Sequence, residues 1–162
     1  MNNEMMTQIA EAVVKEFRNK SECKTMSLKL AKKVIEAVEK KAAEIGVNVV
    51  VAISDAGARP VAVECMDDSY IASYDIALNK AFTSVAVKMP TVKLKEFSQP
   101  GGSLYGIQFT NNGQIVIFGG GDPLVYGGKI IGGIGVSGGT EEQDIYLSAY
   151  GAEQLEKIIK EI

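Results

Sequence analysis

Apolar residues recur at helical spacing over residues 4–17, where Met5, Met6, Ile9, Ala10, Val13, Val14 and Phe17 form one side and Glu4, Gln8, Glu11, Lys15 and Glu16 the other. This is the pattern of a short amphipathic helix. Residues 18–25 are polar and aperiodic, a linker of ordinary length. Two units are therefore expected: a helix with its linker over residues 1–26, and a folded domain over 27–162. A second helix begins after Ser27 as N-cap, carries Leu28, Ala31, Ile35, Val38, Ala42 and Ile45, and closes at Gly46. Residues 47–53 and 61–66 are β-branched runs joined by Asp55, Ala56, Gly57, Ala58 and Arg59, a connection short enough only for an antiparallel hairpin.

A third helix is expected over residues 70–88, capped by Asp68 or Ser69 and stopped before Pro90. Little of its circumference is polar, so it should be buried on more than one side. A helical turn over 91–97 follows, then a long Gly- and Asn-rich stretch over 99–113. Strands are expected at 114–118, 124–126 and 129–136, the last two paired across Gly127 and Gly128. A final helix runs from about Thr140, with Thr140 and Gln143 as a capping box. Short turns stand where a doubly wound fold would need crossover helices. The expected class is therefore α+β: a five-stranded antiparallel sheet flanked by helices, preceded by the N-terminal amphipathic helix.

Gly133, Gly135 and Gly138 satisfy the GxGxxG spacing between a strand and a helix, but only 24 residues remain after Gly138, all within the last helix. No later strand can supply a ribose-binding acid. Glu141, Glu142 and Asp144 in the first turn also complement the helix dipole and would repel a pyrophosphate. The glycines read instead as a place where another backbone, a helix or a flat ligand comes close to the strand.

The composition narrows the chemistry. The 162 residues include no histidine, which removes Ser-His-Asp and Cys-His catalysis and most zinc sites, and no metal site is expected. A net charge of −3 argues against a nucleic-acid partner. No apolar run is long enough to span a bilayer, and no secretory signal is visible, so a cytoplasmic protein with two reduced thiols is expected. Lys80 lies in the otherwise apolar third helix; it reads either as a cation facing an anionic ligand or as a lysine that snorkels or pairs with a carboxylate. Asp55, Glu64, Asp67, Asp68, Asp122 and Asp144 lie at turns and strand ends, where Asp commonly serves as a cap.

Several strings carry a family resemblance: Ser54-Asp55-Ala56-Gly57, Met66-Asp67-Asp68, Asn79-Lys80-Ala81-Phe82-Thr83, Pro90-Thr91, Gly119-Gly120-Gly121-Asp122-Pro123-Leu124, and Gly132 to Gly138 followed by Glu142-Gln143-Asp144. In this order they resemble the GlcG/HbpS family, which includes the C-terminal domain of PduO-type proteins of propanediol utilisation. The resemblance covers residues 27–160. It implies a profilin-like antiparallel sheet flanked by helices, a homo-oligomer, and for some members haem binding. On this resemblance a cofactor-like ligand would lie beside the Gly-rich strand and the 119–123 turn. Its candidate contacts are Asp55, Met66, Lys80, Thr83, Gly119, Gly120, Gly121, Asp122, Gly135, Ser137 and Asp144.

Two departures bear on the cofactor, whose identity the residues leave open. Cys65 stands where the family often has arginine, and the histidine linked to haem in PduO-type proteins has no counterpart here. Haem iron would have to be held by Met, Cys, Tyr, Lys or a hydroxyl, or by no strong axial ligand. The adenosyltransferase domain of full PduO proteins has no counterpart either, so that activity is not carried over. The N-terminal helix resembles the encapsulation peptides of bacterial microcompartments for diol- or ethanolamine-type metabolism. On that resemblance Ile9, Val13 and Phe17, within residues 1–18, would meet a shell or enzyme partner and place the protein in the microcompartment lumen. The alternative is packing of this helix on its own domain or on a sister subunit.

Three functional classes stay open: a ligand-binding module, a histidine-free enzyme using Lys80 with Asp55 or Asp144, and a purely structural or interaction protein.

Overall fold

The computed structural model describes residues 5–9, 11, 13 and 25–162. Helical backbone is present at residues 5–9, 11 and 13, and Met5, Met6, Ile9 and Val13 are about half exposed. Phe17 lies outside the described residues.

Helix α1 spans Leu28–Glu44; the Ser27 hydroxyl accepts the Leu30 N–H at 3.2 Å, and Gly46 follows with φ 70°. Strands β1 (Val50–Asp55) and β2 (Pro60–Cys65) form the expected antiparallel hairpin. Helix α2 covers Ser73–Ala86. Its start departs from the sequence reading: Ala72 is the N-cap and no side chain caps it, because Asp68 sits in a left-handed turn (φ 62°) several residues upstream. Helix α3 spans Thr91–Phe97. Strands β3 (Gly121–Tyr126) and β4 (Lys129–Ser137) pair across Gly127 and Gly128, whose φ values of 56° and 77° suit a two-residue hairpin turn. Helix α4 spans Glu141–Glu161 and opens with the Thr140–Gln143 capping box.

The sheet has four strands in the order β2-β1-β4-β3, all antiparallel, in place of the five expected. The missing strand is residues 114–118. Ile115 and Val116 are buried, which is what their apolar pattern registers, but the backbone bonds to a helix side chain. The Val116 N–H donates to Thr83 Oγ1 at 3.0 Å, and Thr83 Oγ1 is 3.2 Å from the Gln114 carbonyl. A buried apolar run specifies burial, not a ladder partner.

One sheet face carries the main core. Val49, Val51, Ile53, Leu124, Ile134 and Val136 pack there with Val34, Ile35 and Val38 of α1 and Leu147 and Leu155 of α4. The other face takes α2 over a smaller cluster of Val50, Ala52, Ala77 and Ala81. Because β4 has antiparallel neighbours on both sides, the nucleotide crevice of a wound parallel sheet does not form. No helix among the described residues is long and apolar enough to cross a membrane.

Candidate functional site

The glycines of β4 admit the backbone of α2. A Cβ added at Gly135 would stand 2.0 Å from the Ala77 carbonyl oxygen, and one at Gly133 would stand 2.6 Å from that of Ala81. The helix therefore occupies the surface on which a flat ligand was one alternative. At the end of the strand the Ser137 and Ser73 hydroxyls lie 3.1 Å apart.

The turn before β3 is clamped from three sides. The Gly119 N–H donates to Glu141 Oε1 (2.8 Å), the Gly121 N–H to Thr91 Oγ1 (3.0 Å), and the Gly120 carbonyl accepts the Val136 N–H (2.8 Å). Glu141 also pairs with Lys95 at 2.6 Å. The Gly119 N–H first, then Lys95, holds the Glu141 carboxyl below its usual range. Gly120, at φ 106°, leaves no room for a side chain, since its Cβ would lie 2.7 Å from Lys80 Nζ.

Lys80 is fully buried. Its ammonium donates to Asp144 Oδ2 and to the Val136 carbonyl, both at 2.7 Å, and stands 5.0 Å from the centre of the Phe118 ring. Asp144 also accepts the Gly139 N–H at 3.0 Å. Burial pushes Lys80 down and Asp144 up, and each partner opposes the other's shift. With its donors directed at protein groups, Lys80 ties α2 to β4 and α4. Of its two sequence readings, the structure shows the pairing with a carboxylate.

Lys80, Gly119, Gly120, Gly121 and Asp144 are thus brought together in a packed cluster, and Asp122 follows in β3. Ser148 of α4 donates to Asp122 Oδ2 at 2.5 Å. Burial raises the Asp122 carboxyl, with the Ser148 hydroxyl pulling the other way. A carboxyl raised in this way keeps its proton to higher pH in the folded chain than in the unfolded one. The cost of ionising it is absent below the ordinary carboxylate range and is complete above the folded value. Asp122→Asn keeps a partner for Ser148 without the charge, so it should melt above the wild type at neutral pH, with the gap closing as pH falls below the ordinary carboxylate range. Thermal melts across that window check this; a gap independent of pH would refute the linkage.

Two expected contacts lie elsewhere. Met66 packs against the main core beyond the end of β2. Asp55 ends β1, level with Gly132 near the start of β4, whereas Asp144 meets the far end of that strand. Asp55 organises its turn: its Oδ1 accepts the N–H groups of Gly57 (2.8 Å) and Arg59 (3.0 Å), and its Oδ2 pairs with the Arg59 guanidinium at 2.9 Å. The Arg59 N–H is the largest cause holding this carboxyl below its usual range.

Beside that turn is a cleft of about 420 Å³, within the span common for small-molecule sites. Met26, Ile130 and Ile131 supply apolar wall, and Arg59 and Lys129 supply cations against the one carboxylate of Asp55. Met26 is 7 % exposed, and its methyl carbon would lie 3.3 Å from a Cβ at Gly132. Met26, Arg59 and Lys129 escaped the sequence reading because two hairpin turns and the entry to α1 bring them together, and no local spacing records that. At the opposite end of the sheet a cleft of about 470 Å³ is lined by Gly46, Asn48, Asp68, Tyr70, Thr140 and Gln143 among others, and has an acid but no cation.

Residues 26–153 match the family described as haem-degrading protein HbpS-like. The chain belongs to this HbpS-like family. It is 49% identical over 124 residues to a Citrobacter freundii protein described as an uncharacterized 15.0 kDa protein of the dhaT-dhaS intergenic region, covering 76% of this chain and 87% of that one. It is 34% identical over 146 residues to the corrinoid adenosyltransferase PduO of Citrobacter freundii, covering 88% of this chain but only 44% of PduO. Among solved structures, that of a PduOC:heme complex superposes with a TM-score of 0.77 at 35% identity, covering 80% of this chain and 94% of that one.

Proposed function

We propose that this HbpS-like chain is an accessory protein that binds a planar, anionic cofactor of the haem type, and that the cleft at Met26, Asp55, Arg59 and Lys129 receives it. The observation that carries this reading is the haem complex of a 35%-identical relative with the same fold. The cleft adds chemical support, because its apolar wall suits a macrocycle and its two cations outnumber its single carboxylate. Met26 belongs to the apolar wall, and the sequence offers no histidine to ligate haem iron. Bound haem would supply redox-active iron; the protein's part is to hold and orient it. Of the residues expected from sequence, Asp55 lines this cleft. Lys80, Gly119, Gly120, Gly121 and Asp144 do not line it.

Titration of the purified chain with haemin, followed by the Soret band, should saturate at a fixed stoichiometry. Arg59→Glu with Lys129→Glu should weaken binding at least tenfold without changing the far-UV spectrum. Absence of saturable binding would end the haem reading; binding untouched by the double variant would move it away from this cleft.

The same reading treats residues 1–26 as a separate delivery segment and 27–162 as the binding domain. It makes the protein a homo-oligomer that acts within a microcompartment. The exposed Met5, Met6, Ile9 and Val13 support a helix that docks on a shell or enzyme partner, since a short isolated helix gains most of its stability from packing its apolar face. Deleting residues 1–20 should abolish co-localisation with a shell protein and leave the melting temperature in place. A large loss of stability would instead make the segment part of the domain.

A further inference from the structure

The hairpin turn between β1 and β2 separates two concavities. Asp55, Gly57 and Arg59 line the cleft described above, whereas Ala58 and Pro60 line a second cavity of about 240 Å³, shared with Ser54 of β1, Leu78, Asn79 and Phe82 of α2, and Gln114. Its volume is below the range of about 300–1,000 Å³ usual for drug-sized ligands, so a macrocycle is excluded and a single small ring is admitted.

Ser54 is the buried polar group of this cavity, at 2 % exposed. It follows Val50 and Ala52 on the sheet face that α2 covers, where the other side chains are apolar. Its hydroxyl lies 3.4 Å from the Ala81 carbonyl, beyond the usual reach of an O–H···O bond, and that carbonyl already accepts the Ser84 hydroxyl at 3.0 Å. Ser54 therefore has hydrogen-bonding capacity left over beside the cavity. Lys80 and Thr83 have partners within the fold, but the Asn79 carboxamide has none among the described residues; the same holds for Gln114 and Asp75, which also line the cavity.

We propose that this cavity binds a small uncharged ring compound bearing a carboxamide or lactam group, its ring against Leu78 and Phe82 and its polar edge shared between Ser54 and Asn79. The proposal is independent of the haem reading, since neither Ser54 nor Asn79 lines the other cleft. Charge excludes an acid: no lysine or arginine lines the cavity, and its one ionised group is Asp75. The apolar wall disfavours a polyol, whose hydroxyls would lose water against Leu78 and Phe82 without gaining partners. A carboxamide group both donates and accepts in one plane, which matches a hydroxyl together with a second carboxamide.

Benzamide is the probe, and benzoate, the same ring with a carboxylate, is its counterpart. Saturation-transfer NMR on the full chain should give saturable benzamide binding of roughly millimolar affinity, as befits so few atoms. Benzoate should bind at least tenfold more weakly. Asn79→Leu keeps the side chain's bulk and the backbone carbonyl that accepts Thr83 Oγ1, and Ser54→Ala removes one hydroxyl. Each should weaken benzamide about tenfold while the melting temperature stays close to that of the wild type. Failure of benzamide to saturate, equal affinity for benzoate, or benzamide affinity unchanged in both variants would overturn the proposal.

Discussion

Replacing Lys80 by methionine should destabilise the chain by about 3–5 kcal/mol, because it leaves the Asp144 carboxylate buried opposite an apolar group. For a domain of this size that is a fall in melting temperature on the order of 10 °C. The Val136 carbonyl would lose a donor, and the cation beside the Phe118 ring would disappear. Adding Asp144→Leu to Lys80→Met should recover most of the loss, because a buried ion pair replaced by apolar groups of similar volume is often close to neutral. Thermal or urea unfolding of the two single variants and the double variant measures the coupling. Single variants with wild-type stability would contradict the burial. A double variant worse than either single one would show that the pair does more than tie α2 to α4.

The second large effect is expected at Gly135. Its Cβ would meet the Ala77 carbonyl at 2.0 Å and the Ala81 amide at 2.6 Å, and both are helix backbone that cannot rotate away. Gly135→Ala should therefore cost about 3 kcal/mol or more, at or above the top of the usual range for overpacking, because α2 must lift off β4 as a unit. Gly128→Ala is the control. It meets nothing within 4 Å and is strained only by its φ of 77°, so about 1 kcal/mol is expected. Urea denaturation of both variants gives the comparison; equal losses would mean that conformation, and not the approach of α2, explains the glycine at 135.

These two positions show where sequence reading reached and where it stopped. The glycine pattern in β4 correctly signalled a close approach, but the spacing alone is equally compatible with helix backbone and with a ligand. Lys80 stood out as a charge among apolar residues, yet its partner Asp144 lies 64 residues away, joined only by the fold. The apolar run of residues 114–118 predicts a strand, although the Val116 N–H and the Gln114 carbonyl bond to Thr83. The cleft at Met26, Arg59 and Lys129 left no local trace, because three separate chain segments build it.

Local order was legible because its causes are local. The spacing of apolar residues, Ser27 and Thr140 as caps, the Gly127-Gly128 turn and the short 55–59 connection each act within a few residues. They determined the helices, both hairpins and the antiparallel character of the sheet. The absence of histidine likewise limits the chemistry. Tertiary structure alone decided strand order, which strands lie at the edges of the sheet, and which charges meet. Those outcomes depend on contacts between residues far apart in the chain, where energy is set by burial and geometry in three dimensions and not by neighbours in sequence.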